Sequence, residues 1–212
     1  MGPCVHAREE AMPPLLRFSL PALAVIGLAL FGVHQLRSGS TDEELTLASG
    51  TVLKQRAAVA DFDLVDHTGR PFTRHDLKNR WSLVFAGFTH CPDICPTTLA
   101  LLARLEHRLQ EAGTPLQVVF LSVDPERDTP DQMAEYLGYF SPSLRGATGE
   151  AAQIRALSDS LGLAYVRVPE SRGHYSVDHS SALVLIDPDA RMAGHFRPPL
   201  DLDGLTRDLA RL

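Results

Sequence analysis

Two of the three cysteines in the chain, Cys91 and Cys95, lie in the run Phe88-Thr89-His90-Cys91-Pro92-Asp93-Ile94-Cys95-Pro96-Thr97-Thr98-Leu99. On a helix, positions i and i+4 share a face and lie about 6 Å apart along the axis. That spacing suits two chemistries. The thiols can close into a disulfide, whose Cα atoms usually stand roughly 4.4 to 6.8 Å apart, or both thiolates can grip one soft metal ion. A third candidate donor, His179, stands in Val177-Asp178-His179-Ser180-Ser181. Two thiolates and one imidazole suit copper, because thiolates select Cu(I) and an imidazole nitrogen also holds Cu(II). Structural zinc would want four protein ligands, and the chain has no fourth cysteine.

Elements must bring these donors together. The apolar run Trp81 to Phe88 precedes the cysteine pair. Pro96 follows, and its missing N–H suits the first position of a helix. The pair is therefore predicted at a strand-to-helix junction, where the helix dipole lowers thiol pKa and enriches the thiolate. Three continuous apolar runs, Leu83 to Ala86, Val118 to Leu121 and Ala182 to Ile186, read as strands covered on both faces. Between the first two, Leu99, Leu102, Leu105, Leu109 and Ala112 recur at helical spacing, and Gly113 follows as a stop. Strand, helix and strand make a βαβ unit with parallel strands and a right-handed crossover.

A hairpin is predicted over Asp61 to Phe72, turning at Asp66 to Gly69. A capping box at Thr129-Pro130-Asp131-Gln132 opens a second helix that ends near Phe140, and a third runs from Ala151 to Leu161. The chain returns through Ala164 to Val168 and an exposed turn at Pro169 to Gly173. It finishes with a hairpin of Ala182 to Ile186 and Met192 to Phe196, then a helix from Asp201. The expected fold class is α/β, a thioredoxin-like fold with a central mixed sheet flanked by helices. In such a fold the loop carrying His179 faces the cysteine junction. Thiol-disulfide enzymes of that fold keep two residues between their cysteines and a Pro in that loop; this chain has Pro92, Asp93 and Ile94 between them and no Pro in the loop.

The chain has 212 residues, 44% of them hydrophobic and 22% charged, which suits one globular domain with an addition. A formal net charge of -6 gives no basic patch for nucleic acid. The addition is N-terminal. Phe18 to Val33 carries no charged residue and, extended by Leu15, Leu16 and Leu36, reaches the roughly 17 to 25 residues that cross a bilayer. Val33-His34-Gln35-Leu36-Arg37 offers no small-residue cleavage site, so the span reads as an uncleaved anchor. Arg8 and Arg17 before it favour a cytoplasmic N-terminus, while Glu9 and Glu10 argue against a mitochondrial presequence. The expected organisation is a cytoplasmic tail over 1–17, a transmembrane anchor over 18–36, a linker over 37–57 and the copper-binding domain over 58–212. That places the protein as a single-pass protein of the bacterial inner membrane with its C-terminal domain in the periplasm. Cys4 would be a bystander thiol on the other side.

Taken with Ser122-Val123-Asp124-Pro125-Glu126-Arg127-Asp128-Thr129-Pro130 and Val177-Asp178-His179-Ser180, the cysteine block resembles the three signatures of the Sco/SenC family. The likeness runs from about Gly50 to the C-terminus. It implies a membrane-anchored copper metallochaperone, rather than an enzyme, that helps assemble the dinuclear copper site of cytochrome c oxidase. Carried over residue by residue, Cys91, Cys95 and His179 are the ligands of one copper ion per domain. The implied partners are the copper-bearing oxidase subunit, an upstream copper donor and a thiol reductant. A rival of another class is a thiol-disulfide reductase that keeps the oxidase cysteines reduced; it needs Cys91 and Cys95 but not His179. A peroxiredoxin-type peroxidase would need a Thr and an Arg around one cysteine that the sequence does not place.

Blander roles stand beside these. The cysteines could form a structural disulfide, although so short a ring stabilises little. His90 should point away from the site as the chain leaves a buried strand. Asp93 matches the helix dipole, Asp178 either orients the imidazole or solvates its loop, and Arg127 and Asp128 brace the loop before the second helix. His174 and His195 receive no role.

Overall fold

The computed structural model describes residues 47–212. The expected tail, the anchor over 18–36 and Cys4 lie outside the described residues. Among those described, no helix is long and apolar enough to cross a membrane.

An eight-stranded mixed sheet organises the domain, in the order β1-β10-β9-β4-β5-β6-β2-β3. The strands are β1 (Thr51–Val52), β2 (Asp63–Asp66), β3 (Pro71–Thr73), β4 (Ser82–Gly87), β5 (Gln117–Ser122), β6 (Arg145–Thr148), β9 (Leu183–Ile186) and β10 (Met192–Phe196). Strands β7 (Tyr165–Pro169) and β8 (Tyr175–His179) form a separate two-stranded hairpin. The helices are α1 (Ile94–Glu111), α2 (Pro130–Gly138), α3 (Ala151–Ser160) and α4 (Leu202–Leu209).

The three apolar runs become the centre of the sheet. β4 pairs parallel with β5 and antiparallel with β9, and every residue of β4 and β9 is buried. Strands covered on both faces must be apolar throughout, which is why these runs do not alternate. Leu99, Leu102, Leu105 and Leu109 lie on the buried face of α1, which packs against α4. The helix starts at Ile94 rather than at Pro96. Pro96 is still tolerated there, because the first turn of a helix has no partners for its N–H groups. At α2, Thr129 caps as expected and accepts from the Gln132 backbone N–H at 3.2 Å.

Two strands of the main sheet depart from the expectation. β6 pairs parallel with β5 and antiparallel with β2, yet its sequence Arg-Gly-Ala-Thr has no apolar run. Gly146 is the reason it fits. A Cβ there would stand 2.5 Å from Met133 Cε and 2.8 Å from Leu137 Cδ1, so the strand omits a side chain to let α2 lie against it. β1 falls inside the stretch read as a linker, 37–57, and pairs antiparallel with β10.

The same stretch is tied down at Asp208 on α4. Its buried carboxylate accepts from the backbone N–H groups of Ala48 and Ser49, at 2.9 and 2.7 Å, and from the Ser49 hydroxyl at 2.5 Å. Burial alone would push the Asp208 pKa up, but the bonds from Ser49 and Ala48 outweigh it and hold it below the usual carboxylate value. A lowered folded pKa gives stability above the unfolded value that is lost as pH falls through the folded one. Asp208→Ala is therefore expected to lose about 2 kcal/mol at neutral pH. The penalty, read from urea midpoints, should shrink below about pH 4.

Candidate metal centre

β4 ends at Gly87 and delivers the chain into the turn that holds Cys91, while Cys95 lies in the first turn of α1. His179 is the last residue of β8. The sequence alone suggests a loop there; His179 belongs instead to the hairpin strand, one residue before the chain turns towards β9.

The three donors converge. The sulfurs of Cys91 and Cys95 and a ring nitrogen of His179 all lie within 4.8 Å of one another, and they form the one such cluster among the described residues. His179 Nε2 is 3.4 Å from Cys95 Sγ. Its other ring nitrogen, Nδ1, lies 3.1 Å from the Ser180 carbonyl. That carbonyl can only accept, so Nδ1 carries the proton and Nε2 is left with a free lone pair aimed at the thiols. Burial lowers the His179 pKa, which keeps the ring neutral as a ligand must be. Ser180, not Asp178, orients the ring, and the rings of Phe85 and Phe88 stand edge-on to it at 5.9 and 6.0 Å.

Cys95 is wholly buried and Cys91 half-buried, and both are free thiols. The backbone N–H of Cys95 donates to Cys91 Sγ at 3.4 Å. The helix-start expectation of an enriched thiolate fails at Cys95. Burial pushes its pKa well up, and the neighbouring Cys91 and Asp128 add to the rise, because desolvation of a thiolate outweighs the dipole.

The donor set fits a metal. Bonds of about 2.0 to 2.3 Å, as thiolate and imidazole make to zinc, require donors no more than about 4.6 Å apart. The cluster needs to close by only a few tenths of an ångström at most. Two soft sulfurs and one imidazole, with no carboxylate in the set, suit copper rather than a hard cation.

His90 lies outside the donor set, as expected, with Nδ1 3.0 Å from the Thr89 hydroxyl. Asp93 occupies the N-cap of α1 without a capping hydrogen bond. Asp128 is fully buried and braces the cysteine loop: its carboxylate accepts from the Thr89 N–H at 3.0 Å, the Thr89 hydroxyl at 2.7 Å and the Ser122 hydroxyl at 2.7 Å. Sequence reasoning missed Phe85, Phe88 and Tyr175, whose roles depend on which ring faces which partner. A groove of about 900 Å³ lined by Asp76, Gln117 and Arg145 holds none of the donors.

Gly87 makes room for the buried thiol. A Cβ there would meet Phe120 Cε2 at 2.7 Å and Cys95 Sγ at 2.8 Å. Gly87→Ala is expected to cost about 1–3 kcal/mol in a chemical melt. It should also weaken metal binding by more than the stability loss explains, because the displaced atom is one of the three candidate donors.

A partly buried dithiol at the strand-to-helix junction of a thioredoxin-like sheet, faced by a neutral imidazole from the hairpin, defines a soft-metal or thiol-exchange domain. The sequence pattern of the SCO1/SenC family matches residues 51–212, and the chain belongs to that family. A Stutzerimonas stutzeri protein named for copper binding is 41% identical over 202 residues, 94% of this chain and 97% of its own length. The mitochondrial SCO2 homolog of Bos taurus is 35% identical over 215 residues, 99% of this chain and 81% of its own. Among solved structures, Arabidopsis thaliana ScoI with copper bound is 36% identical with a TM-score of 0.69, covering 73% of this chain and 97% of that one.

Proposed function

We propose that this chain is a copper metallochaperone that carries one ion on Cys91 Sγ, Cys95 Sγ and His179 Nε2 and helps build the dinuclear copper site of cytochrome c oxidase. The observation that carries the reading is the convergence of three soft-metal donors within 4.8 Å, with His179 separated by 84 positions from Cys95. The copper held by Arabidopsis ScoI, a relative of 36% identity, supports the choice of metal. The three family signatures support the oxidase subunit as recipient, with an upstream copper donor and a thiol reductant as the other partners. The uncharged run Phe18 to Val33 supports a single-pass anchor in a bacterial inner membrane, with the domain in the periplasm.

Anaerobic Cu(I) titration of the reduced full-length protein tests the ligand set. Wild type should bind one equivalent, and His179→Ala should bind about 100-fold more weakly, the share of one ligand in a small metal site. Equal affinity in the two proteins refutes the histidine as a ligand.

One observation favours a second reading, a thiol-disulfide reductase for the oxidase cysteines. Cys91 is partly exposed and Cys95 buried, the arrangement of an attacking thiol and a resolving one. On that reading Cys95→Ser traps a partner as a mixed disulfide and His179→Ala leaves exchange intact; no trapped species counts against it.

A further inference from the structure

The hairpin that carries His179 pairs only with itself: β7 and β8 are registered to each other, and neither joins the eight-stranded sheet. At its C-terminal end β8 runs on towards β9. At its start, side chains alone tie it to the body of the domain. The tie is Tyr175. Its hydroxyl donates to the buried Asp124 carboxylate at 2.8 Å, and its backbone carbonyl accepts from Arg127 Nη1 at 3.2 Å. Its ring is stacked by two guanidiniums, Arg127 at 3.9 Å and Arg167 at 4.1 Å from the centroid. Arg167 reaches back to Glu126 at 2.8 Å.

Arg127 also faces the site. Its Nε pairs with Asp124, and its Cζ lies 5.6 Å from the centroid of Phe88, the ring that stands edge-on to His179. Nη2 is buried without a hydrogen-bond partner among the described residues. Aromatic faces rather than acceptors therefore surround part of the guanidinium, an arrangement that favours a delocalised cation. The loop from Val123 to Thr129 thus has two grips. Asp128 holds the cysteine turn through Thr89, and Asp124 with Arg127 holds the start of the histidine strand.

We propose that Arg127 and Tyr175 are positioning residues that set the imidazole of His179 over the two thiols, so that releasing Tyr175 turns a three-donor site into a two-donor one. The inference rests on His179 being a metal ligand. The hairpin has no ladder hydrogen bonds to the main sheet; Val177 anchors its middle in the core, and the latch fixes the start of the strand that ends at His179. Loss of the latch lowers the effective concentration of the imidazole at the ion without touching a donor atom.

The test uses the reduced full-length protein with Cu(I) in competition with a chromophoric chelator, and the nitrogen hyperfine pattern of the Cu(II)-loaded form. Tyr175→Leu is expected to lower affinity about tenfold, the scale of losing a group that orients a ligand, and to weaken the nitrogen pattern. Tyr175→Phe keeps the stacked ring and loses one hydrogen bond, so it should lower affinity about fivefold; it carries the test if the leucine variant does not fold. Placed on His179→Ala, either change should leave affinity where that variant has it. Wild-type affinity and nitrogen pattern in the Tyr175 variants overturn the proposal, as does an equal loss with and without the imidazole. If His179→Ala itself binds like wild type, the ligand reading fails first, and that outcome is distinct from a latch that does nothing.

Discussion

Cys95→Ser is expected to abolish stoichiometric copper binding while leaving the fold intact. The side chain is wholly buried, and serine is smaller than cysteine, so nothing must move to admit it. Its hydroxyl can donate to His179 Nε2, which already lies 3.4 Å from the sulfur it replaces, so no buried donor is orphaned. The copper loses a soft thiolate and meets a hard, neutral oxygen. Structural metal sites with four ligands bind with about 10–16 kcal/mol, so one ligand represents roughly 3 kcal/mol, more than about 100-fold in affinity. The Cys91→Ser and Cys95→Ser double variant should retain no equivalent of copper by chelator competition; retention of one equivalent would sink the ligand assignment. The same geometry sets a pH dependence. Burial raises the Cys95 pKa, so the free thiol is protonated at neutral pH and must release that proton to bind. Apparent affinity should therefore rise about tenfold per pH unit for each proton released, and a flat profile would show that Cys95 is not the thiolate that binds.

Asp128 is where a second large effect is expected, this time on stability. Asp128→Ala would strand the Thr89 N–H and the buried Ser122 hydroxyl, while the Thr89 hydroxyl keeps only His90 Nδ1 as a partner. Unpaired buried groups of that kind make the expected cost about 3 kcal/mol or more, together with a disordered cysteine turn. Asp128→Asn behaves differently. Its carbonyl can accept from the Thr89 N–H and Ser122, and its amide can donate to the Thr89 hydroxyl, so the network closes without a buried charge. Burial pushes the Asp128 pKa up, and the Asp124 charge adds to the rise, against bonds from Ser122 and Thr89 that pull it down. A raised folded pKa means stability present below the unfolded value and lost as pH rises through the folded one. The asparagine variant should therefore lie within about 1 kcal/mol of wild type and gain on it as pH rises above about 4. Urea melts of the three proteins at several pH values separate these outcomes; an asparagine variant as damaged as the alanine one would show that the charge itself is required.

Much of the centre was legible in the sequence because it is written in local patterns. The buried strands β4, β5 and β9 declare themselves as unbroken apolar runs, α1 as a leucine stripe, and α2 as a Thr-Pro cap. The spacing of Cys91 and Cys95 marks them as a pair, although Cys91 lies in the turn before α1 and only Cys95 in its first turn, and the signature around His179 singles it out among nine histidines. What the sequence left out depends on partners distant in the chain. β6 has no apolar signal because a glycine there accommodates α2, and β1 is defined only by its pairing with β10. The Cys95 thiol is protonated because burial outweighs the dipole of its own helix, and burial is a property of the packed core. The imidazole tautomer is set by the Ser180 carbonyl, which a sequence shows only as an ordinary backbone group. The hold on the histidine hairpin arises from Asp124, Arg127 and Tyr175, residues that meet only when the chain has folded. Periodicity and cap chemistry act over a few residues and can be read in order along the chain; desolvation, ring stacking and hydrogen-bond closure are set by whichever groups the fold brings near, so the tertiary structure alone decided them.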